Sequence, residues 1–321
     1  MCSATPSDSG EVLVEQDGGT LWITLDRPAA RNALSEPMRR ALRRALRAAD
    51  TDPGVDAVVL TGRDPAFSGG LDLKESLGGK PAAREYPDPA QVLRALRVPV
   101  IGAVNGACYT GALEMALSCS FLLASEHATF ADTHARIGLM AGWGMSALLP
   151  RAVGTRLARQ MMLTGEPVDA AEALRSGLVN EVLPHDELIP RAREVAAQIG
   201  RAHRGAVRTT LDLLDSGEGT SLAHALGAEA DAKLRWRSDP AEIARRFARP
   251  WRKLSAVDGA ESGDDADGDV GRGAWKRTPS WAGRRVAKLE WRRGPSPRPT
   301  GLRPPGVAGA GYLAGARPPL H

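Results

Sequence analysis

Cysteine is scarce in this 321-residue chain, and Cys2, Cys108 and Cys119 form neither a paired framework nor a metal-ligand spacing. No disulfide scaffold is needed, since 43% hydrophobic residues supply a sizeable core, and the count suits a reducing cytosol. The six histidines are scattered with no pair at metal spacing, so no metal is expected. Long apolar runs are missing too. The first ten residues are small and polar, without a charged segment leading into an apolar one, and no later stretch approaches a membrane span. The expectation is a soluble, cytoplasmic protein with no membrane partner. Two common enzyme motifs are absent: Gly102, Gly106 and Gly111 are not at G-x-G-x-x-G spacing, and no G-x-S-x-G elbow occurs. Both absences speak against a dinucleotide site and a serine hydrolase.

An excess of positive charge is lacking from most of the chain. The net charge is +4, but residues 1–255 carry 31 Lys and Arg against 31 Asp and Glu, and residues 256–321 carry 11 against 7. The neutral body disfavours nucleic acid as a partner. The last 66 residues start with an acidic, Gly-rich patch (DGAESGDDADGD), contain 12 Gly and 8 Pro, and show no apolar period. Such a segment buries too little to offset its ordering entropy, so disorder is expected for 256–321. Its composition also resembles a GC-rich gene read out of frame beyond about Arg249.

What is present before the tail is an alternation of short apolar strands and helices. Strands are expected at Val12–Glu15, Leu21–Leu25, Ala57–Thr61, Val100–Val104 and Phe121–Ala124. A helix after Ser35 has a capping residue, a nearby Pro, and Met38, Leu42, Ala45, Leu46 and Ala49 on one stripe, with its arginines outward. Helices dominate from Trp143: 143–151, 155–163, 170–176, 186–199, 204–214 and 221–237. This pattern predicts an α/β core with a helical annex. The expected organisation is a flexible 1–10, a core over 11–184, a helical region over 185–255, and the tail.

Two stretches carry chemistry. In PVIGAVNGACYTGALE (99–114) a buried strand breaks at Asn105 and Gly106, and a helix starts near Gly111 with Glu114 in its first turn. A helix start favours an acid there in any case; the glycine beside it, whose N–H can face a ligand, suggests more. In AFSGGLDLKE (66–75) two glycines after a strand leave backbone N–H groups unobstructed, as an anion-binding turn requires.

Together with LDRPAARNALS (25–35) and LTGEPVDAAEALRSGLVNEVLP (163–184), these blocks resemble the crotonase, or enoyl-CoA hydratase/isomerase, family over about Val12 to Arg249. The resemblance implies an α/β spiral of ββα units with a helical C-terminal trimerisation region, assembling as a homotrimer or hexamer. It implies an acyl-CoA substrate, with coenzyme A part of the thioester and no separate cofactor. It also implies an oxyanion hole from the backbone N–H groups of Leu71 and Gly111, which would hold the enolate oxygen. Glu114 matches one of two family acids that act on water and the Cα proton, while His134 stands where a typical hydratase has the second Glu. His134 could serve as the partner acid or base, or only line the pocket or bond to Asp132. The matching CoA-binding positions are Ala29, Arg31, Ala33, Ser68, Gly69, Gly70, Asp72 and Lys74, with Gly142 leaving room near the reacting carbons and Trp143 packing the pocket wall. Hydration of an enoyl-CoA is the first expectation. Double-bond migration, or acyl-CoA binding without turnover, is the alternative.

Overall fold

The computed structural model describes residues 5–6, 10–77 and 87–248. The chain divides into two compact units, residues 1–249 and 250–321, and the second lies outside the described residues. The expected disordered tail therefore falls outside them too.

Eleven strands are described: β1 (Thr5–Pro6), β2 (Val12–Asp17), β3 (Thr20–Leu25), β4 (Ala57–Gly62), β5 (Ala66–Ser68), β6 (Val100–Val104), β7 (Ala107–Tyr109), β8 (Phe121–Ser125), β9 (Thr129–Ala131), β10 (Val168–Asp169) and β11 (Glu181–Leu183). They form two sheets. The larger runs β1-β2-β3-β4-β6-β8-β11 and the smaller β10-β9-β7-β5. From β3 to β11 the larger sheet is parallel, with Val59 opposite Trp22 and Ile101 in register. Strands buried on both faces read as continuous apolar runs, which is why β3, β4, β6 and β8 were legible in the sequence, whereas the half-buried, three-residue β11 was not.

The helices are α1 (Glu36–Thr51), α2 (Leu73–Leu77), α3 (Pro89–Arg94), α4 (Gly111–Ala116), α5 (Met145–Val153), α6 (Thr155–Thr164), α7 (Ala170–Ser176), α8 (Leu188–Arg201), α9 (Arg204–Gly217), α10 (Leu222–Arg235) and α11 (Pro240–Phe247). In the order β4-β5-α2 and then β6-β7-α4, a long strand of the large sheet feeds a short strand of the small sheet and then a helix. β8 and β9 repeat the step into a 3-10 turn, Ala135–Ile137. This is the expected ββα spiral. The short strands β5, β7 and β9 were missed in the sequence, because three residues carry no usable period.

Ser35 caps α1 by accepting from Met38 N at 3.1 Å, and Met38, Leu42, Leu46 and Ala49 face the core. Not all the arginines of α1 face outward: Arg39 is buried, its guanidinium donating to Leu34 O at 2.6 Å. The bond corrects the outward expectation, since a carbonyl at the helix start makes burial tolerable. α8 covers the other face of the large sheet, packing Leu188, Ala192 and Ala196 on Trp22, Val59, Ile101 and Leu123. The last expected helix, 221–237, is α10, which stops at Arg235; α11 was not expected, and Asp239 caps it by accepting from Ala241 N at 2.9 Å, with Pro240 at its first position. None of α9, α10 or α11 buries a residue.

Candidate active site

The site lies where the turns after β5 and β7 meet. Gly69 N donates to Arg31 O at 2.9 Å and Leu34 N to Gly70 O at 2.8 Å, so the segments 29–33 and 68–72 lie side by side. Behind them, Asn32 is fully buried. Its amide donates to Arg63 O (2.7 Å) and Ala66 O (2.6 Å) and accepts from Arg27 N at 2.8 Å, which holds Arg31 and Asn32 at φ 50° and 54°. Ser68 steadies the turn by accepting from Gly70 N at 3.2 Å.

Leu71 forms an isolated bridge with Leu34, and its side chain packs on the core. Its N–H has no backbone acceptor among the described residues. Gly111 opens α4, where the first N–H groups lack intrahelical partners. A Cβ at Gly111 would come within 3.1 Å of the Trp143 ring, so that ring packs over it. The residues just before the two donors touch. Gly70 has φ 92°, and a Cβ there would sit 1.9 Å from Thr110 Oγ1. Thr110 is held at φ 50° and ψ −116°, with its N–H on Ala131 O at 2.9 Å. A β-branched residue there is strained, and the glycine opposite is what leaves it space.

Glu114 is buried, and both Trp143 N (2.7 Å) and Met145 N (3.1 Å) donate to its Oε1. α5 therefore starts at Met145, two residues later than expected, because these N–H groups serve the carboxylate across a bend at Gly144, φ 125°. Arg94 pins the same bend, donating to Trp143 O at 2.9 Å and to Ser118 Oγ at 2.7 Å, while Ser118 Oγ donates to Glu114 O at 2.8 Å. Burial pushes the Glu114 carboxyl above the usual range, against the opposing pull of the two N–H groups and of His134.

His134 follows β9 and is buried, with Nδ1 2.5 Å from Asp132 Oδ1. Burial alone would lower its pKa, but the Asp132 bond and the charges of Asp132 and Glu114 outweigh it and leave it raised. The site thus holds two acid–base groups that feel each other's charge. Of the sequence alternatives for His134, the bond to Asp132 is present.

The remaining expected positions lie around this centre. Ala29, Arg31 and Lys74 are exposed on the two adjacent segments, and Ala33 is half-buried. The Asp72 carboxylate is engaged with Arg27 at 2.6 Å and accepts from Lys74 N at 3.0 Å, and the Arg27 bond holds it below the usual range. Nothing lies within 4 Å of where a Cβ would stand at Gly142. Arg27, Asn32, Arg94 and Thr110 were missed in the sequence, and only the turn-forming D-x-H spacing of Asp132 and His134 offered a signal.

The family profile described as "Enoyl-CoA hydratase/isomerase" matches residues 15–238. A relative from Arabidopsis thaliana named "Probable enoyl-CoA hydratase 1, peroxisomal" is 36% identical over 229 residues, covering 71% of this chain and 86% of its own. "Crotonyl-CoA hydratase" of Syntrophomonas wolfei is 32% identical over 228 residues, covering 69% and 87%. The crystal structure of enoyl-CoA hydratase from Mycobacterium tuberculosis H37Rv is 46% identical, with a TM-score of 0.60, covering 70% of this chain and 98% of that one. Fold and site together define an enzyme on the crotonase scaffold. The chain belongs to the enoyl-CoA hydratase/isomerase family. Among the described residues no helix is long and apolar enough to cross a membrane.

Proposed function

We propose that this protein adds water across the double bond of a 2-enoyl-CoA. Supporting the reading is the pairing of a buried, backbone-held Glu114 with a second titratable group, His134, on the site that carries Leu71 and Gly111 N–H. Glu114 takes a proton from water, whose oxygen attacks Cβ; the electron pair moves to the thioester oxygen, held by the two N–H donors; and the His134 imidazolium returns a proton at Cα. Removing one oxyanion donor typically costs on the order of 3 kcal/mol in transition-state stabilisation. The exposed cations Arg31 and Lys74 meet the CoA phosphates, while backbone at Ala29, Ala33, Ser68, Gly69, Gly70 and Asp72 lines the nucleotide and pantetheine, and Gly142 keeps the acyl end open. Trp143 forms the pocket wall.

Leu214, Leu222, Leu234 and Phe247 are exposed on α9–α11, which supports assembly as a homotrimer or hexamer through these helices. The free Cys108 and Cys119 fit a cytoplasmic enzyme. The test is loss of enoyl thioester absorbance with crotonyl-CoA and longer enoyl-CoAs, for wild type, Glu114→Gln and His134→Ala across pH 6 to 9. Turnover lost with Glu114 and a pH profile altered without His134 support hydration. Double-bond migration as the sole product makes it an isomerase, and tight binding of saturated acyl-CoA with no turnover makes it a binder.

A further inference from the structure

We infer that Asp132 is the positioning residue of the acid–base pair: it binds the Nδ1 edge of His134 and leaves Nε2 as the ring nitrogen presented to the reactants. This rests on reading His134 as the proton donor to Cα. The geometry is restrictive. A carboxylate only accepts, so at 2.5 Å Nδ1 must carry the proton. The same Oδ1 also accepts His134 N at 3.2 Å, so backbone and ring converge on one oxygen and the ring's orientation is set from two sides. Asp132 itself is 2% exposed, and it follows β9, whose Ala131 O receives Thr110 N. One strand end therefore fixes both the imidazole and the residue ahead of the Gly111 donor.

The charge balance supplies the reason for a carboxylate here. Burial favours a neutral ring with no proton to deliver, and the Asp132 bond reverses this. The charged groups acting on the ring are Asp132 after β9 and Glu114 on α4. Arg136, two residues on, is turned to Gly165 O (3.4 Å) and Glu166 (3.5 Å), and Arg156 and Arg159 of the adjoining α6 are exposed.

The test uses the full chain labelled with ¹⁵N at histidine, as wild type, Asp132→Asn, Asp132→Ala and Asp132→Glu, with thermal melts confirming folding. In wild type the His134 signals should show Nδ1 protonated in a strong hydrogen bond, and saturated butyryl-CoA should perturb Nε2 and not Nδ1. In Asp132→Asn and Asp132→Ala both tautomers should appear and the titration should move down. kcat should fall about 10- to 100-fold with KM within about twofold, and the alkaline limb of the kcat–pH profile should move down in step. Asp132→Glu should recover part of each. An unchanged tautomer and titration in Asp132→Asn overturns the inference, as does a fall in kcat with His134 titrating as in wild type. Absence of turnover on every enoyl-CoA would defeat the hydratase reading alone, because the tautomer and the butyryl-CoA response need no reaction.

Discussion

Gly70→Ala puts to the test the spacing of the Leu71 and Gly111 N–H groups, the two proposed oxyanion donors. The new Cβ would lie 1.9 Å from Thr110 Oγ1 and 2.8 Å from Tyr109 O, where ordinary contact begins at about 3.4 Å. Thr110 has little room to retreat, since its N–H is bonded to Ala131 O and its hydroxyl to Tyr109 O at 2.8 Å. A side chain at φ 92° adds strain of roughly 1–2 kcal/mol, and overpacking costs about 1–3 kcal/mol. Unfolding free energy should therefore fall by about 2–5 kcal/mol. Relief must come through the peptides that follow Gly70 and Thr110, which carry the Leu71 and Gly111 N–H groups. Loss of one donor predicts a drop in kcat of about 10²–10³. Urea unfolding reads the first effect and crotonyl-CoA turnover the second. Pairing Gly70→Ala with Thr110→Gly removes the nearest clash and should restore part of both. Native-like kcat in Gly70→Ala would refute the idea that this contact sets the donor spacing.

Glu114→Gln keeps an oxygen for the Trp143 and Met145 N–H groups and removes the charge, so kcat should fall about 10²–10⁴. The stability change has the opposite sign. Burial raises the folded pKa of Glu114, so ionising it opposes folding, and the stability present below the usual glutamate range is lost as pH rises through the raised value. The variant should melt above wild type at pH 8 and match it at acid pH; a lower melting temperature at pH 8 would contradict this. Asn32→Ala strands Arg63 O, Ala66 O and Arg27 N and should cost about 2–4 kcal/mol in urea unfolding. Arg94→Met frees the bend that presents two N–H groups to Glu114. It should lower kcat by about tenfold while leaving the melting temperature nearly unchanged, so a wild-type kcat would show the bend needs no pin.

Much of this protein was legible before any coordinates. Buried parallel strands such as Val100–Val104 write themselves as apolar runs, and the Ser35 cap with its stripe of Met38, Leu42 and Leu46 announces α1, because local backbone preference and the burial pattern agree there. The motifs also carried the family, and with it the expected pair of oxyanion donors and Glu114. Other features depend on contacts between residues far apart in sequence. That Arg39 turns inward is decided by a carbonyl at Leu34, and that α5 begins late is decided by a carboxylate 31 residues before its first N–H. The family resemblance left His134 either a catalytic group or one that only lines the pocket or bonds to Asp132. Only the tertiary structure showed that Nδ1 is the ring nitrogen that faces Asp132, since the two edges of an imidazole are distinguished by where they point. The sequence alone determined the longer elements and the chemical groups. Their orientation was decided by long-range packing: Gly70 against Thr110, Arg94 against Trp143, and the Asp132 carboxylate against the edge of His134.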